Sequence, residues 1–95
     1  MRVRFFAYIR NYTGCSEGDY PLQPTIGKLA RALCDRYGKN LSSKIFPNGY
    51  SKGDEEFGAE IIILINGRHV CHLQGEATPL KDDDRVDIFP VVAGG

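Results

Sequence analysis

The chain has 95 residues, of which 42% are hydrophobic and 25% charged, and its 12 basic side chains balance 12 acidic ones. This length fits one domain with a single modest core, and the composition is typical of a folded globular protein. With no net positive charge, we expect neither nucleic acid nor an anionic membrane surface as a partner. The longest apolar run is too short to span a membrane, and the first residues, MRVRFF, lack the pattern of a signal peptide. We therefore expect a cytoplasmic protein.

The first part of the chain predicts a β-hairpin. VRFFAYIR alternates apolar and polar residues with the period of a half-buried strand. The residues on its apolar face are Val3, Phe5, Ala7 and Ile9. The glycines of NYTGCSEGD predict a reversal, and YPLQP is then a short returning strand that its prolines confine to an edge of the sheet.

The next stretch, TIGKLARALCDRYG, predicts an amphipathic helix because its apolar residues fall on one stripe. Thr25 is the natural N-cap, and Gly38 stands where a left-handed glycine closes a helix. Cys34 lies on the apolar stripe, so we interpret it as a core thiol.

Residues 39–58 predict an irregular connection because they are polar and rich in glycine and other breakers. Within them, LSSKIF is compatible with a short helical turn. The acidic cluster Asp54, Glu55 and Glu56 is interpreted as a solvated loop; the alternative is an electrostatic contact for a basic partner.

A second hairpin follows. IIILI is a continuous β-branched run, which is typical of a strand covered on both faces, and Asn66-Gly67 predicts a two-residue turn. RHVCHL is the returning strand. In a strand, His69 and Cys71 share one face while His72 points to the other, and no second ligand pair has zinc-site spacing, so we predict no metal site.

The last elements are a turn and a strand. PLKDDD predicts a tight turn, with Leu80 pointing inward and the acidic run facing water. RVDIFP predicts the final strand, whose core-facing residues are Val86 and Ile88. Phe89 takes the opposite face with Asp87, and its place before an apolar tail suggests one half of a docking patch.

This order of elements predicts an α+β fold of the β-grasp, ubiquitin-like type: one main helix packed across a mixed sheet of four to five strands. The first and last strands should be central, parallel neighbours. We expect residues 1–90 to form the domain and residues 91–95 to form a flexible tail.

The tail, VVAGG, ends in Gly94 and Gly95. A carboxylate accepts a nucleophile only after activation, usually by adenylation in a partner enzyme, and glycines let a narrow channel admit the chain end. Pro90 stiffens the exit from the sheet. The alternative is that the two glycines are ordinary terminal residues. Because no nucleophile with a base partner and no phosphate-binding glycine loop is present, we predict a carrier and not an enzyme.

Nearly the whole chain resembles the small subunit of molybdopterin synthase and its sulfur-carrier relatives, which include the thiamine-pathway carrier. The resemblance is most specific in FPVVAGG, in PLKDDD and in the NG of the hairpin. It implies that Gly95 is adenylated by an enzyme akin to ubiquitin-activating enzymes and becomes a thiocarboxylate. The partner uses the ATP, and the chain itself binds no cofactor.

The resemblance also implies a large synthase subunit as partner, in a heterotetramer that builds the molybdopterin dithiolene. The segment threaded into either partner enzyme comprises Pro90, Val91, Val92 and Ala93, ahead of Gly94. Leu73 and Phe89 fall where the family contacts its partners. Many synthase small subunits have a second proline where this chain has Val91.

Two alternatives remain open. The same tail chemistry serves sulfur carriers for thiamine, cysteine or tRNA thiolation. A ubiquitin-like modifier instead joins Gly95 to lysines of target proteins through an isopeptide bond.

Overall fold

A computed structural model describes residues 1–53 and 55–91. The strands are β1 (Arg2–Phe5), β2 (Glu17–Asp19), β3 (Ile61–Ile65), β4 (Arg68–His69) and β5 (Arg85–Pro90). The α-helices are α1 (Ile9–Thr13), α2 (Ile26–Tyr37) and α3 (Lys39–Ile45). Short 3₁₀ turns lie at Val70–His72 and Gly75–Ala77.

The strands form one mixed sheet in the order β2-β1-β5-β3-β4. β1 and β5 are parallel neighbours at its centre, as predicted, and the other neighbouring pairs are antiparallel. This is the β-grasp arrangement. In the central pair, Arg4 lies directly opposite Asp87.

One face of the sheet packs against the helices and forms the core. Alternate residues of β1, β3 and β5 meet the apolar stripe of α2, and the best-buried members are Val3, Phe5, Ile63, Val86, Ile88, Leu29, Leu33 and Cys34. α2 has the predicted bounds, because the Thr25 hydroxyl accepts a hydrogen bond from the N–H of Lys28 at 3.3 Å. Gly38 has the positive φ expected of a closing glycine (+91°), but its ψ of −163° is extended and leads straight into α3.

The predicted first strand is too long. β1 stops at Phe5, because Ala7 adopts a left-handed φ of +53° and turns the chain into α1. Ile9 is buried, as the alternation predicts, but it is buried from a helix. The helix ends at Gly14, whose φ of +74° closes it.

The predicted returning strand YPLQP is also misplaced. β2 lies earlier, at Glu17–Asp19, and pairs with β1. Pro21 and Pro24 have no N–H to donate to a ladder, whereas Glu17 to Asp19 has three donors.

The predicted strand RHVCHL is cut short after His69. The Nδ1 atom of His69 accepts a hydrogen bond from the N–H of Cys71 at 3.0 Å, which caps the 3₁₀ turn Val70–His72. This local side-chain bond competes with the ladder to β3, so β4 keeps only two residues. The turn itself is as predicted, with positive φ at both Asn66 (+52°) and Gly67 (+83°).

Three further differences from the predictions are smaller. β3 is fully covered on one face only, because Ile62 and Leu64 are half-buried. The helical turn predicted at LSSKIF is part of α3, which starts earlier and buries Leu41 and Ile45.

In the acidic run, Asp84 does not simply face water: its carboxylate accepts hydrogen bonds from the Asn66 amide and the Lys81 N–H. Leu80 is buried as predicted.

The longest helix in the described ranges is far below membrane-spanning length, and no helix there is apolar enough to cross a bilayer.

Candidate partner-binding face and the root of the tail

The face of the sheet opposite the core carries an apolar cluster, the open-face patch, formed by Phe6, Ile62, Leu64 and Phe89. Phe6 and Phe89 stack with ring centroids 4.1 Å apart and an interplanar angle of 9°. Ile62 lies opposite Phe89 in the β3–β5 register. All four side chains are only half-buried, so the patch presents apolar surface outward.

A partly buried ion pair, with Asp87 buried and Arg4 partly exposed, supports this patch. Arg4 donates from Nε to Oδ1 of Asp87 at 2.7 Å and from Nη2 to Oδ2 at 2.9 Å, and its guanidinium lies 5.3 Å from the centre of the Phe6 ring. The hydrogen bonds from Arg4 hold the pKa of Asp87 below its usual value, although burial works in the other direction. The pair thus joins β1 to β5 and fixes the guanidinium over Phe6.

The root of the tail is tied to the sheet. β5 ends at Pro90, which is buried, and the N–H of Val91 still donates to the carbonyl of Glu60 at 2.9 Å. Val91 is 42% exposed, so its side chain is offered to solvent where the ladder stops.

The segment that is predicted to react, residues 92–95, lies outside the described residues, which end at 91. The assignments for Val92, Ala93, Gly94 and Gly95 therefore stay predictions.

The other predicted contact residues are placed as follows. Phe89 lies on the face opposite Val86 and Ile88, as the alternation predicts. Leu73 follows the 3₁₀ turn after β4 and packs, partly buried, against the core. Contact of Leu73 and Phe89 with a partner protein stays a prediction.

Sequence reasoning missed most of the open-face patch. The alternation in VRFFAYIR puts Phe6 on the outer face of the predicted first strand. The predicted parallel pairing with the last strand was enough to bring Phe6 next to Phe89, but that link was not made. Ile62 and Leu64 were missed because the apolar run suggested burial on both faces.

The cysteines and histidines of the described residues do not lie together in one cluster of potential metal ligands. Burial raises the pKa of the Cys34 thiol to about 12, as suits a core residue. Cys71 is exposed, and the Nδ1 atom of His69 is already used as a hydrogen-bond acceptor. Within residues 1–53 and 55–91, no cluster of three or more potential ligands is present.

The sheet order, the helix across its core face and the open-face patch define a ubiquitin-like β-grasp protein. The ThiS family model matches residues 3–95, and the chain belongs to the ThiS family. The predicted resemblance to sulfur carriers of this type is thereby confirmed.

Two relatives match over nearly their full lengths. Small archaeal modifier protein 3 of Haloferax volcanii is 35% identical over 97 residues, covering all of this chain and 98% of the relative. A putative sulfur carrier protein of Archaeoglobus fulgidus is 31% identical over 90 residues, covering 92% of this chain and 96% of the relative. One relative is thus named as a modifier and the other as a putative sulfur carrier.

Solved structures of other proteins have the same fold as this chain. Small archaeal modifier protein 1 of Methanosarcina acetivorans superposes with a TM-score of 0.82 at 36% identity, covering 99% of this chain and 94% of that one. A putative molybdopterin converting factor subunit 1 of Pyrococcus furiosus gives a TM-score of 0.68 at 28% identity, covering 96% and 95%. The fold prediction is thus confirmed by independent structures.

Proposed function

We propose that this protein is a sulfur carrier whose terminal Gly95 is converted to a thiocarboxylate, and that it donates this sulfur for the molybdopterin dithiolene as the small subunit of a synthase. The observation that carries the proposal is the ThiS-family match, which runs to residue 95 and so includes Gly94 and Gly95. The similarity to a molybdopterin converting factor subunit supports the choice of acceptor.

The chemistry of the proposed loading has two balanced steps. The Gly95 carboxylate attacks the α-phosphate of ATP in the activating enzyme, forming an acyl adenylate and releasing pyrophosphate. A hydrosulfide equivalent then attacks the acyl carbon and displaces AMP, which leaves the thiocarboxylate and a proton. The side-chain-free glycines admit these reactions at the end of a narrow channel, while the Val91–Glu60 hydrogen bond anchors the root of the tail.

The proposal requires two protein partners in the cytoplasm. An E1-like adenylyltransferase performs the loading, and a large synthase subunit accepts the sulfur in a heterotetramer. We assign the open-face patch as the surface that both recognise, because Phe6 and Phe89 present a rigid aromatic pair next to the exit of the tail. Pro90 to Ala93 is the segment that enters the partner.

A second candidate is a protein modifier that forms isopeptide bonds through Gly95. Its specific support is that both the Haloferax volcanii relative and the Methanosarcina acetivorans structure are named as small archaeal modifiers. Sulfur delivery to thiamine, cysteine or tRNA thiolation is the nearest variant of the first proposal.

Intact-mass measurement of the protein purified from its native cells tests these candidates. Exchange of one terminal oxygen for sulfur adds about 16 Da, and this gain is expected for a carrier. A ladder of conjugates linked to target lysines, with no mass gain on the free protein, would overturn the carrier proposal. Co-purification of a molybdopterin synthase large subunit supports that branch, whereas another acceptor enzyme in its place contradicts it.

A further inference from the structure

A small surface pocket of about 120 Å³ lies between α2 and the loop that follows β2. Its loop wall is formed by Tyr20, Pro21 and Gln23, and its helix wall is one face of α2 from Leu29 to Arg36. Most of this lining is apolar, and Arg36 is the one charged residue of the described chain that contributes to it. A pocket of this size takes a single side chain and is too small for a cofactor.

Two tyrosine rings hold the guanidinium of Arg36 in place. Its Cζ atom lies 5.3 Å from the ring centre of Tyr20 and 5.2 Å from that of Tyr37. The hydroxyl oxygens of the two tyrosines are 2.6 Å apart in a hydrogen bond, which fixes the rings relative to each other. Contact with a ring face leaves the N–H groups in the guanidinium plane free to donate to a carboxylate.

The neighbouring carboxylates of the chain are engaged elsewhere. Asp35 accepts a hydrogen bond from the Tyr50 hydroxyl at 2.7 Å, and Asp19 lies 3.5 Å from the guanidinium of Arg2. Within residues 1–53 and 55–91, Arg36 forms no ion pair, and no aspartate or glutamate lines the pocket. A carboxylate is therefore the complementary group for this pocket.

Leu22 adds an apolar contact between two residues that line the pocket. Its side chain is 47% exposed, and the other large apolar side chain exposed in the described ranges is Val91 at the root of the tail. Pro21 and Pro24 flank Leu22 in the loop and restrict its backbone. Leu22 has no part in the proposed chemistry of the tail.

The pocket is remote from the open-face patch and from the tail. α2 packs on the core face of the sheet, so the outer surface of α2 faces away from the open-face patch. The N–H of Tyr20 donates to the carbonyl of Met1 at 2.9 Å, beside the start of β1, and β1 is parallel to β5. The loop therefore lies near the start of β5, whose six residues place it about 20 Å from the root of the tail.

We propose that this pocket binds a segment of a further protein in which a leucine-sized aliphatic side chain lies next to a carboxylate. The aliphatic side chain packs against Leu22 and Leu29, and the carboxylate accepts hydrogen bonds from Arg36. The bound segment leaves the open-face patch and the tail accessible, so the chain holds this protein while an enzyme acts on the tail. The inference does not depend on sulfur loading, since the unmodified protein has the same pocket.

The test titrates the full-length, unmodified protein with a blocked seven-residue peptide that has one leucine between two glutamates and glycine or serine elsewhere. We expect saturable shifts of backbone amide NMR signals, centred on Gln23, Ala32 and Arg36. A matched peptide with glutamine for both glutamates should bind about two- to fivefold more weakly, and one with alanine for leucine at least about fivefold more weakly. The absence of saturable shifts, equal binding of all three peptides, or shifts confined to the open-face patch would overturn the proposal.

Variants of the protein assign the two contacts. Arg36→Gln should weaken binding of the glutamate peptide about two- to fivefold and remove its advantage over the glutamine peptide. The control, Arg68→Gln, makes the same change at an exposed position outside the pocket and should leave affinity unchanged. Leu22→Ser should weaken binding of the glutamate and glutamine peptides by the same factor. Equal weakening by the two arginine variants would indicate general charge attraction and refute the proposal.

A chain that lacks residues 92–95 separates this site from the tail. It should bind the glutamate peptide as tightly as the full chain does. The signals of Gln23 and Arg36 should also stay in place when the full-length protein alone is concentrated. Shifts of these signals on concentration that are absent from the shortened chain would contradict the proposal, because the terminal carboxylate of a second copy would then occupy the pocket.

Discussion

Both faces of the central strands carry apolar side chains, but the two faces differ in how deeply these side chains are buried. On the core face, Val86 and Ile88 are almost fully buried against the helices. On the other face of the same strand, Phe89 stacks on Phe6 and stays half-buried, beside the Arg4–Asp87 pair. The difference teaches that apolar residues on the core face specify folding, whereas those on the open face have spare contact area for a partner.

The largest expected effect comes from a substitution on the core face of β5. Ile88→Ala removes buried atoms from a central strand where the side chain is 1% exposed. We expect a loss of about 2 to 5 kcal/mol in the free energy of unfolding, and about 0.5 to 1.5 kcal/mol for the matched Ile88→Val variant. Urea denaturation measures both. Equal, small losses would mean that the site relaxes and is not a tightly packed core.

Phe89→Ala tests the binding side. The variant loses a stacked aromatic pair, which costs about 1 kcal/mol of unfolding free energy, but it should cost about 2 kcal/mol or more of binding free energy to the activating enzyme or the large subunit. Calorimetric titration measures the change in binding free energy, and thermal melts measure the change in unfolding free energy. A loss of about 3 to 5 kcal/mol in unfolding free energy would instead place Phe89 in the core. The contrast between the two faces of β5 would then be wrong.

The ion pair beneath the patch gives a pH-dependent prediction. The pKa of Asp87 is lowered in the folded protein, chiefly by the hydrogen bonds from Arg4, so the carboxylate stabilises the fold above the unfolded value of about 3.9. That contribution is lost as the pH falls through the folded pKa. Because Arg4 is 38% exposed, solvent screens the pair, and we expect Asp87→Asn to cost only about 1 kcal/mol at neutral pH.

Denaturation of both proteins at pH 7 and at pH 3 checks this reasoning. The gap in unfolding free energy between the wild type and Asp87→Asn should narrow at the lower pH. A gap that stays constant or widens on acidification would show that the carboxylate charge does not support the patch.

The smallest expected effect concerns the turn after β1. Ala7 adopts a left-handed φ of +53°, which is strained for a residue with a Cβ. Ala7→Gly should therefore stabilise the fold by about 0.5 kcal/mol, after the greater chain entropy of glycine is subtracted. The control, Ala32→Gly, lies exposed within α2 and should destabilise by about 1 kcal/mol. Melting-temperature shifts of the same sign for both variants would contradict this account.

Much of the fold could be predicted from the sequence because several elements carry redundant local signals. α2 has a periodic stripe, an N-cap at Thr25 and a glycine at its end, and the Asn66-Gly67 turn requires positive φ at both positions. β5 and its parallel pairing to β1 followed from the alternation and from the order of elements.

The predicted bounds of secondary structure were wrong where the same residues are compatible with two local structures. Ile9 is inward-facing whether the chain continues as a strand or turns into α1, so alternation did not reveal the left-handed Ala7. A side-chain hydrogen bond of His69 ended β4, and hydropathy carries no sign of such a bond. The open-face patch depends on pairing distant strands, and for that reason only Phe89 was recognised.

The most direct test of the central claim, that a rigid scaffold presents Gly94 and Gly95 as the chemical group, compares the full chain with a chain lacking both glycines. Each is incubated with the activating enzyme, ATP and a sulfide source, and assayed for acyl-adenylate and thiocarboxylate by mass spectrometry and for melting temperature. We predict that the truncated chain forms neither product and melts with the full chain, because the core lies within the sheet and helices. Continued loading of the truncated chain, or a marked fall in its melting temperature, would contradict the account.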